Sequence, residues 1–132
     1  MITDFAQQML VNLARMWFPD EAVGYLVRLG GDDFNRVHCI PNMSSSPATT
    51  FSMRTSDLYD AMIRYGFNDV ILWHSHPRTR PLPSRDDMVM MTQIKSRHLA
   101  IVGLHPFPII CLYEMQRERL VQVVKYRRET DG

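Results

Sequence analysis

Residues 73–87 read Trp-His-Ser-His-Pro-Arg-Thr-Arg-Pro-Leu-Pro-Ser-Arg-Asp-Asp and extend an apolar run that begins at Val70. In an extended strand, side chains two residues apart point to the same face, so His74 and His76 can present both imidazoles to one metal ion. Ser84 is typical of a helix N-terminus, and an acid in the turn that follows could supply a third ligand. Two histidine nitrogens, one carboxylate and an open coordination position are the arrangement of a catalytic zinc site.

The third ligand is either Asp86 or Asp87, and residue type alone does not choose between them. Ser84 and Asp87 also form the Ser-x-x-Asp signature of a capped helix start, which applies whatever the function. The two roles are compatible, because a capped first turn would hold Asp87 rigidly.

Hydrolysis at such a site needs more than the metal. Zinc lowers the pKa of a bound water from about 15.7 toward roughly 7. A carboxylate that is not a metal ligand must then carry the water's proton to the leaving amine. Glu21 is the best candidate, since it stands where the first strand begins, directly after the helix-breaking Pro19. The Ser84 hydroxyl could donate a hydrogen bond to the tetrahedral oxyanion.

The rest of the pattern predicts a three-layer α/β domain with a mixed β-sheet flanked by helices. A first helix is predicted at 5–17, with an apolar stripe of Phe5, Met9, Leu13 and Met16 or Trp17 expected in the core. Further helices are predicted at 55–65 and 84–95, and strands at 22–29, 34–40, 50–53, 70–73, 99–104, 109–113 and 120–126. The pattern does not predict the strand order.

Composition predicts a soluble protein whose residues 1–132 form one domain, because 45% hydrophobic and 22% charged residues are ordinary for that class. A formal net charge of +1 gives no general attraction to nucleic acid, and no apolar run approaches the length of a membrane span. The N-terminus carries Asp4 where a signal peptide would carry basic residues. Cys39 and Cys111 lie far apart, which favours reduced thiols. We therefore expect a cytoplasmic protein with no nucleic-acid or membrane partner.

The stretch from His74 to Asp87 reproduces the pattern H-[ST]-H-x7-S-x2-D of the JAMM metalloproteases, the catalytic branch of the MPN domain. Upstream, residues 21–26 read Glu-Ala-Val-Gly-Tyr-Leu and resemble the E-x-x-G-x-L segment of that family. The resemblance implies one zinc ion on His74, His76 and Asp87, with Glu21 as general base and Ser84 as oxyanion donor. It also implies a fold related to the cytidine deaminases.

The substrate class follows from the resemblance alone. JAMM enzymes cut isopeptide or peptide bonds after the C-terminal tail of ubiquitin-like or sulfur-carrier proteins, and the short loops resemble a compact bacterial or phage member. His-Ser-His-Pro with a later Pro-Ser also resembles the peptidase domain of phage tail assembly proteins.

Two other classes are weighed against this interpretation. A non-catalytic MPN scaffold that binds a partner protein remains an alternative, although such scaffolds usually lack the complete ligand set. A zinc nucleobase deaminase would need H-x-E followed by P-C-x-x-C, and the chain has neither motif. The sequence leaves the oligomeric state open, with a homodimer among the alternatives.

Overall fold

The computed structural model describes residues 1–94 and 96–128, in which three helices flank one six-stranded sheet. The helices are α1 (Asp4–Trp17), α2 (Thr55–Tyr65) and α3 (Arg85–Ile94), and the strands are β1 (Val23–Arg28), β2 (Phe34–Ile40), β3 (Val70–His76), β4 (His98–Gly103), β5 (Ile109–Gln116) and β6 (Arg119–Arg127). The strand order is β2-β1-β3-β4-β5-β6. β3 and β4 run parallel with α3 in the crossover between them, and the other neighbours are antiparallel. Within that part of the chain, no helix is long and apolar enough to span a membrane.

Helices cover both faces of the sheet, which confirms the predicted three-layer α/β architecture. Along β3, Ile71 and Trp73 pack in the cluster shared with α1, whereas Val70 and Leu72 pack in the cluster shared with α2 and α3. A strand that is buried on both faces requires a continuous apolar run, which explains the pattern at 70–73. The strand continues to His76, so both histidines belong to the sheet itself.

A glycine near the start of β1 makes room for the largest side chain of the core. The Trp73 indole crosses β1 and donates a hydrogen bond from Nε1 to the carbonyl oxygen of His38, at 3.1 Å. A Cβ atom on Gly24 would lie 1.9 Å from that oxygen and 2.8 Å from the indole nitrogen. Only glycine therefore fits at this position of the E-x-x-G-x-L segment.

The prediction for the core face of α1 is wrong for Phe5 and Met16, whereas Leu13 and Trp17, the alternative to Met16, pack at the border of the core. Phe5 and Met16 are 68% and 77% exposed. The face that packs on the sheet consists of Ala6, Gln7, Leu10, Val11 and Ala14. With 3.6 residues per turn, Phe5 and Met16 lie nearly opposite that face. Two alanines let the helix approach the sheet closely, and Leu13 is half-buried at the border.

The strand predicted at 50–53 is also wrong, because the backbone of this segment bonds to a side chain instead of to a neighbouring strand. The side-chain nitrogen of Asn42 donates to the carbonyl of Thr50, and its side-chain oxygen accepts from the backbone amide of Ser52, both at 3.1 Å. The segment therefore forms an ordered loop over one end of the sheet. The predicted end of the third helix at Lys95 lies outside the described residues.

Cys39 and Cys111 are both free thiols, as their separation predicts. Cys39 packs against the cluster under α1, and Cys111 lies in the cluster under α2 and α3. The sheet separates the two sulfur atoms, so they do not form a disulfide within one chain.

Candidate metal centre

Both predicted histidines lie at the C-terminal end of β3, on the face that α2 and α3 cover. His74 is almost fully buried and His76 is mostly buried. Their ring centroids are 5.0 Å apart, because residues two apart on a strand share a face. One strand thus brings two imidazoles together without help from any other element.

The first turn of α3 brings a carboxylate to these rings. The amide of Ser84 donates to Asp87 Oδ2 at 2.8 Å, and the amide of Asp87 donates to Ser84 Oγ at 3.1 Å, which is the predicted capping box. Asp87 Oδ1 lies 2.8 Å from Nε2 of His74, and Oδ2 lies 3.9 Å from Nε2 of His76. Asp86 is exposed. Of the two candidate acids, the structure therefore brings Asp87 to the histidines.

A second carboxylate arrives from the start of β1. Register pairs Val23 with His74 across the two strands, which places Glu21 beside the histidines although it lies far away in sequence. The Glu21 side chain is buried, and its Oε1 lies 3.5 Å from Nδ1 of His74. The imidazole of His74 is thus flanked by one carboxylate at each ring nitrogen.

The serine between the two histidines holds Glu21 in this place. Because its side chain points to the opposite face of β3, Ser75 Oγ can accept a hydrogen bond from the amide of Ala22 at 2.8 Å. The amide of Ser75 donates in turn to the carbonyl of Ala22 at 2.9 Å. These two bonds extend the pairing of β1 and β3 to the residue that follows Glu21.

The loop at 41–53 restrains Glu21 from its other side. The amide of Glu21 donates to the carbonyl of Pro47 at 2.7 Å, and the carbonyl of Glu21 accepts from the side-chain amide of Asn42 at 2.9 Å. The same Asn42 side chain binds the backbone at Thr50 and Ser52. A single asparagine therefore ties Glu21 to the loop that borders the site.

The loop after β3 orients the second histidine. Nδ1 of His76 lies 2.8 Å from the carbonyl oxygen of Arg80, which can only accept, so Nδ1 carries the proton and Nε2 keeps its lone pair. The loop is anchored where the Tyr113 hydroxyl donates to the carbonyl of Pro81 at 2.5 Å. A Cβ atom on Gly103 would lie 2.7 Å from the Pro81 ring, so close packing against β4 adds a second anchor.

The residues present fit a metal ion. Glu21, His74 and His76 each offer a ligand atom, and these atoms lie within 4.8 Å of one another. Glu21 stands in this group in place of the predicted ligand Asp87, whose Oδ1 lies 2.8 Å from Nε2 of His74. Both ring nitrogens of His74 are buried, and each faces a carboxylate oxygen, of Asp87 at 2.8 Å and of Glu21 at 3.5 Å, without a well-aligned hydrogen bond. Coordination by a metal ion would give a buried nitrogen of this kind a directed partner. Imidazole nitrogens and carboxylate oxygens are among the donors that zinc takes.

The protonation of the site follows from its burial and its two carboxylates. Burial opposes a charged imidazolium at His74, but the adjacent Asp87 and Glu21 outweigh it and raise the pKa of His74 to about 9. Burial, together with the charge on His74, lowers the pKa of His76. Burial alone would raise the pKa of Asp87, yet its contact with His74 and the amide of Ser84 lowers it. Without a metal, His74 therefore holds a proton that metal binding must displace.

These groups open into a cavity of about 610 Å³. The loop at 48–53 forms one wall and α3 forms the other, with Arg78 and Thr79 at the rim. The Phe51 ring covers His74 at a centroid distance of 4.6 Å. Met53, Met90 and Ile94 make part of the lining apolar. The cavity is thus a cleft that an extended peptide could enter, with charged groups at its base.

Some of the residues that support the site have a signal in the sequence, and others have none. Ser75 lies inside the His-Ser-His motif, so the requirement for a hydroxyl there was a usable signal. Asn42 and Tyr113 are far from the motif in sequence, and no local pattern marks them. Ser84 lines the cavity, and its hydroxyl oxygen accepts from the amide of Asp87.

Comparison with known proteins identifies the family and the fold of the chain. Residues 5–119 match the family described as prokaryotic homologs of the JAB domain. The solution structure of a protein from Desulfitobacterium hafniense aligns with a TM-score of 0.69 at 26% identity, covering 92% of this chain and 88% of that one. The crystal structure of a JAB1/MPN domain protein from Archaeoglobus fulgidus aligns with a TM-score of 0.60 at 18% identity, covering 91% of each chain, a likeness of fold alone. No curated protein matches the sequence at a significant level.

Proposed function

Because the chain belongs to the prokaryotic family of JAB-domain proteins, we propose that it is a zinc-dependent peptidase. It hydrolyses the peptide or isopeptide bond after the C-terminal tail of a ubiquitin-like or sulfur-carrier protein. The observation that carries the proposal is the convergence of Glu21, His74, His76 and Asp87 on one cavity from three separate segments. Carboxylates are rarely buried unless they are paired or bind a metal, so this cluster supports a functional site over a surface feature.

His74, His76 and Asp87 would hold one zinc ion per chain. When bound, zinc supplies an activated water near neutral pH and polarises the scissile carbonyl. The Nδ1 bond from His76 to the Arg80 carbonyl supports this assignment, since it leaves Nε2 free to coordinate. The capping box supports it as well, because both oxygens of Asp87 are held at fixed positions.

Glu21 accepts a proton from the attacking water and returns it to the leaving amine. Its burial beside the histidines and its two backbone restraints suit this role, because a general base must stay within hydrogen-bond reach of the proton it moves. The Ser84 hydroxyl accepts from the amide of Asp87, so its own hydrogen remains available to donate to the developing oxyanion in the cavity.

The shape of the cavity supports a peptide tail as the substrate. The cleft lies between a loop and a helix, and its apolar walls are interrupted by polar groups at the base. An extended C-terminal tail could enter such a cleft, whereas a folded protein body would stay at its rim. Phe51 excludes water from one side of His74, which strengthens the electrostatic interactions that act on a bound carbonyl.

The test is a matched pair of substitutions at adjacent acids, Glu21→Gln and Asp20→Asn. Zinc-loaded protein is incubated with a ubiquitin-like or sulfur-carrier protein that carries a C-terminal extension, and with its isopeptide-linked form. We expect cleavage that a chelator abolishes. Glu21→Gln should keep about one zinc per chain and lose a factor of roughly 10²–10⁴ in rate, because proton transfer typically contributes that much. Asp20→Asn should cleave like the wild type. A fully active Glu21→Gln variant would remove Glu21 from the mechanism.

The same experiment separates this proposal from a non-catalytic scaffold, since the JAB family includes members without activity. A scaffold would bind the ubiquitin-like protein with unchanged affinity after chelation and would cleave neither substrate. The convergence of Glu21, His74, His76 and Asp87 at the site weighs against that outcome.

A further inference from the structure

One face of α1 carries three apolar side chains and one asparagine that the core of the fold does not use. Phe5 and Met16 are 68% and 77% exposed, Asn12 is exposed and Met9 is half-buried. These four residues, here called the outer stripe, follow one another at spacings of four, three and four along the helix. The core of the sheet takes the other side of α1, so the helix has two apolar faces and buries one of them.

We infer that the outer stripe is a self-association surface, on which two copies of this chain pack α1 against α1 in antiparallel orientation. Spacings of three and four residues form the seam of a helix pair. The order four, three, four reads the same in both directions along the helix. A two-fold axis therefore sets Phe5 of one copy against Met16 of the other, and Met9 against Asn12. Such a contact is isologous and closes after two copies.

Charges on α1 favour the antiparallel orientation. Asp4 lies in the first turn of the helix and Arg15 in the last. An antiparallel pair brings the acidic end of one helix beside the basic end of the other, and their macrodipoles oppose each other favourably. A parallel pair would instead set like charges side by side. Asp4 also pairs with Arg128, yet its side chain stays 87% exposed and can still face a partner.

The size of the surface predicts a reversible dimer. α1 has 14 residues, which corresponds to a length of about 21 Å. One face of a helix this long and about 10 Å wide covers on the order of 200 Å². This is well below the roughly 800 Å² per partner of a standard stable interface. His74 and His76 lie on the opposite face of the sheet from α1, so a dimer through the outer stripe would leave the cavity open. Dimerisation of this kind does not require the proposed chemistry.

The test compares single variants with their mixture. Sedimentation of the wild-type chain should show a monomer that converts to a dimer as concentration rises. Phe5→Lys and Met16→Glu should each weaken association by about ten-fold or more, because each removes apolar area from both ends of a two-fold contact. The matched control is Ile63→Glu, at an apolar position of α2 that is 73% exposed, and it should dimerise like the wild type. Circular dichroism checks that every variant is folded.

Mixing the two stripe variants makes the orientation testable. In the antiparallel dimer, Lys at position 5 of one copy faces Glu at position 16 of the other, so the mixture should associate more tightly than either variant alone. In a parallel dimer the mixture would relieve the like-charge contacts of each variant but would form no Lys–Glu pair, so its association would stay well below that of the wild type. A wild-type chain that stays monomeric at all concentrations, an unrecovered mixture, or equal loss in Ile63→Glu would overturn the inference. If the wild-type chain is monomeric and the stripe variants cleave a protein substrate poorly, the outer stripe binds the substrate and not a second copy.

Discussion

Replacing Tyr113 with phenylalanine tests whether the loop after β3 sets the metal affinity of the site. The substitution removes one hydroxyl from a buried side chain and leaves its ring in place. That hydroxyl donates to the carbonyl of Pro81, at 2.5 Å, and the neighbouring carbonyl of Arg80 accepts from His76. Without the Tyr113 bond, Pro81 keeps its close packing against Gly103 but has lost its side-chain hydrogen bond. The imidazole of His76 should then lose part of its fixed orientation.

Two magnitudes follow from this geometry. Leaving a buried carbonyl without its donor should lower the free energy of unfolding of the metal-free protein by about 1–3 kcal/mol. Loss of an outer partner of a metal ligand typically lowers metal affinity by about 10–100-fold, and Tyr113→Phe should fall toward the lower end because it acts through two further residues. At saturating zinc, Tyr113→Phe should still bind the same number of zinc ions per chain, although its affinity is lower.

The affinity is measured by competition against a chromophoric zinc chelator, and the stability by urea unfolding of the chelator-treated protein. Cobalt substitution adds a spectroscopic reading of the geometry at the metal. Tyr25→Phe is the matched control, because in the described part of the chain the Tyr25 hydroxyl makes no hydrogen bond and the residue lies away from the cavity. If Tyr113→Phe loses stability while its zinc affinity and cobalt spectrum match those of Tyr25→Phe, the loop does not orient His76 and the reasoning is refuted.

Three further substitutions test the fold and the ligand set. Gly24→Ala should lower the free energy of unfolding in urea by at least about 1–3 kcal/mol, because its Cβ would overlap a backbone oxygen, whereas Gly31→Ala meets nothing within 4 Å and should stay within about 0.5 kcal/mol. Asp87→Asn should reduce the zinc content measured by atomic absorption, and Asp86→Asn should not. Ser75→Ala should keep bound zinc but slow hydrolysis, since it frees the backbone next to the proposed base.

The ligand strand and the capped helix could be predicted because both signals are local. A spacing of two on a strand puts two side chains on one face in any fold, and a Ser-x-x-Asp turn forms its own bonds. Trp73 and the run at 70–73 likewise indicate a strand that is buried on both sides. The choice of Asp87 over Asp86 needed the structure, or the family pattern, because it depends on how α3 is turned toward β3.

The faces of α1 could not be assigned from periodicity, because two stripes of the helix satisfy the same pattern. The stripe with the large side chains Phe5 and Met16 faces outward, and the stripe with the small residues Ala6 and Ala14 packs on the sheet. Close approach of helix and sheet decides the outcome, and it depends on side-chain size at a tertiary contact. The strand prediction at 50–53 is wrong for a similar reason, since the Asn42 side chain binds backbone groups that a neighbouring strand would otherwise bind.

The arrangement of charge at the site favours a divalent ion over the proton that the metal-free protein holds. Two carboxylate groups, Glu21 and Asp87, flank the buried imidazole of His74. The cluster of these acids with His74 and His76 contains no lysine or arginine. One proton on His74 offsets one negative charge, so one of the two carboxylate charges stays uncompensated. A divalent cation would offset both while the two imidazoles stay neutral, which is the form in which they coordinate. Since uncompensated buried charge is costly, metal binding should stabilise the fold as well as complete the site.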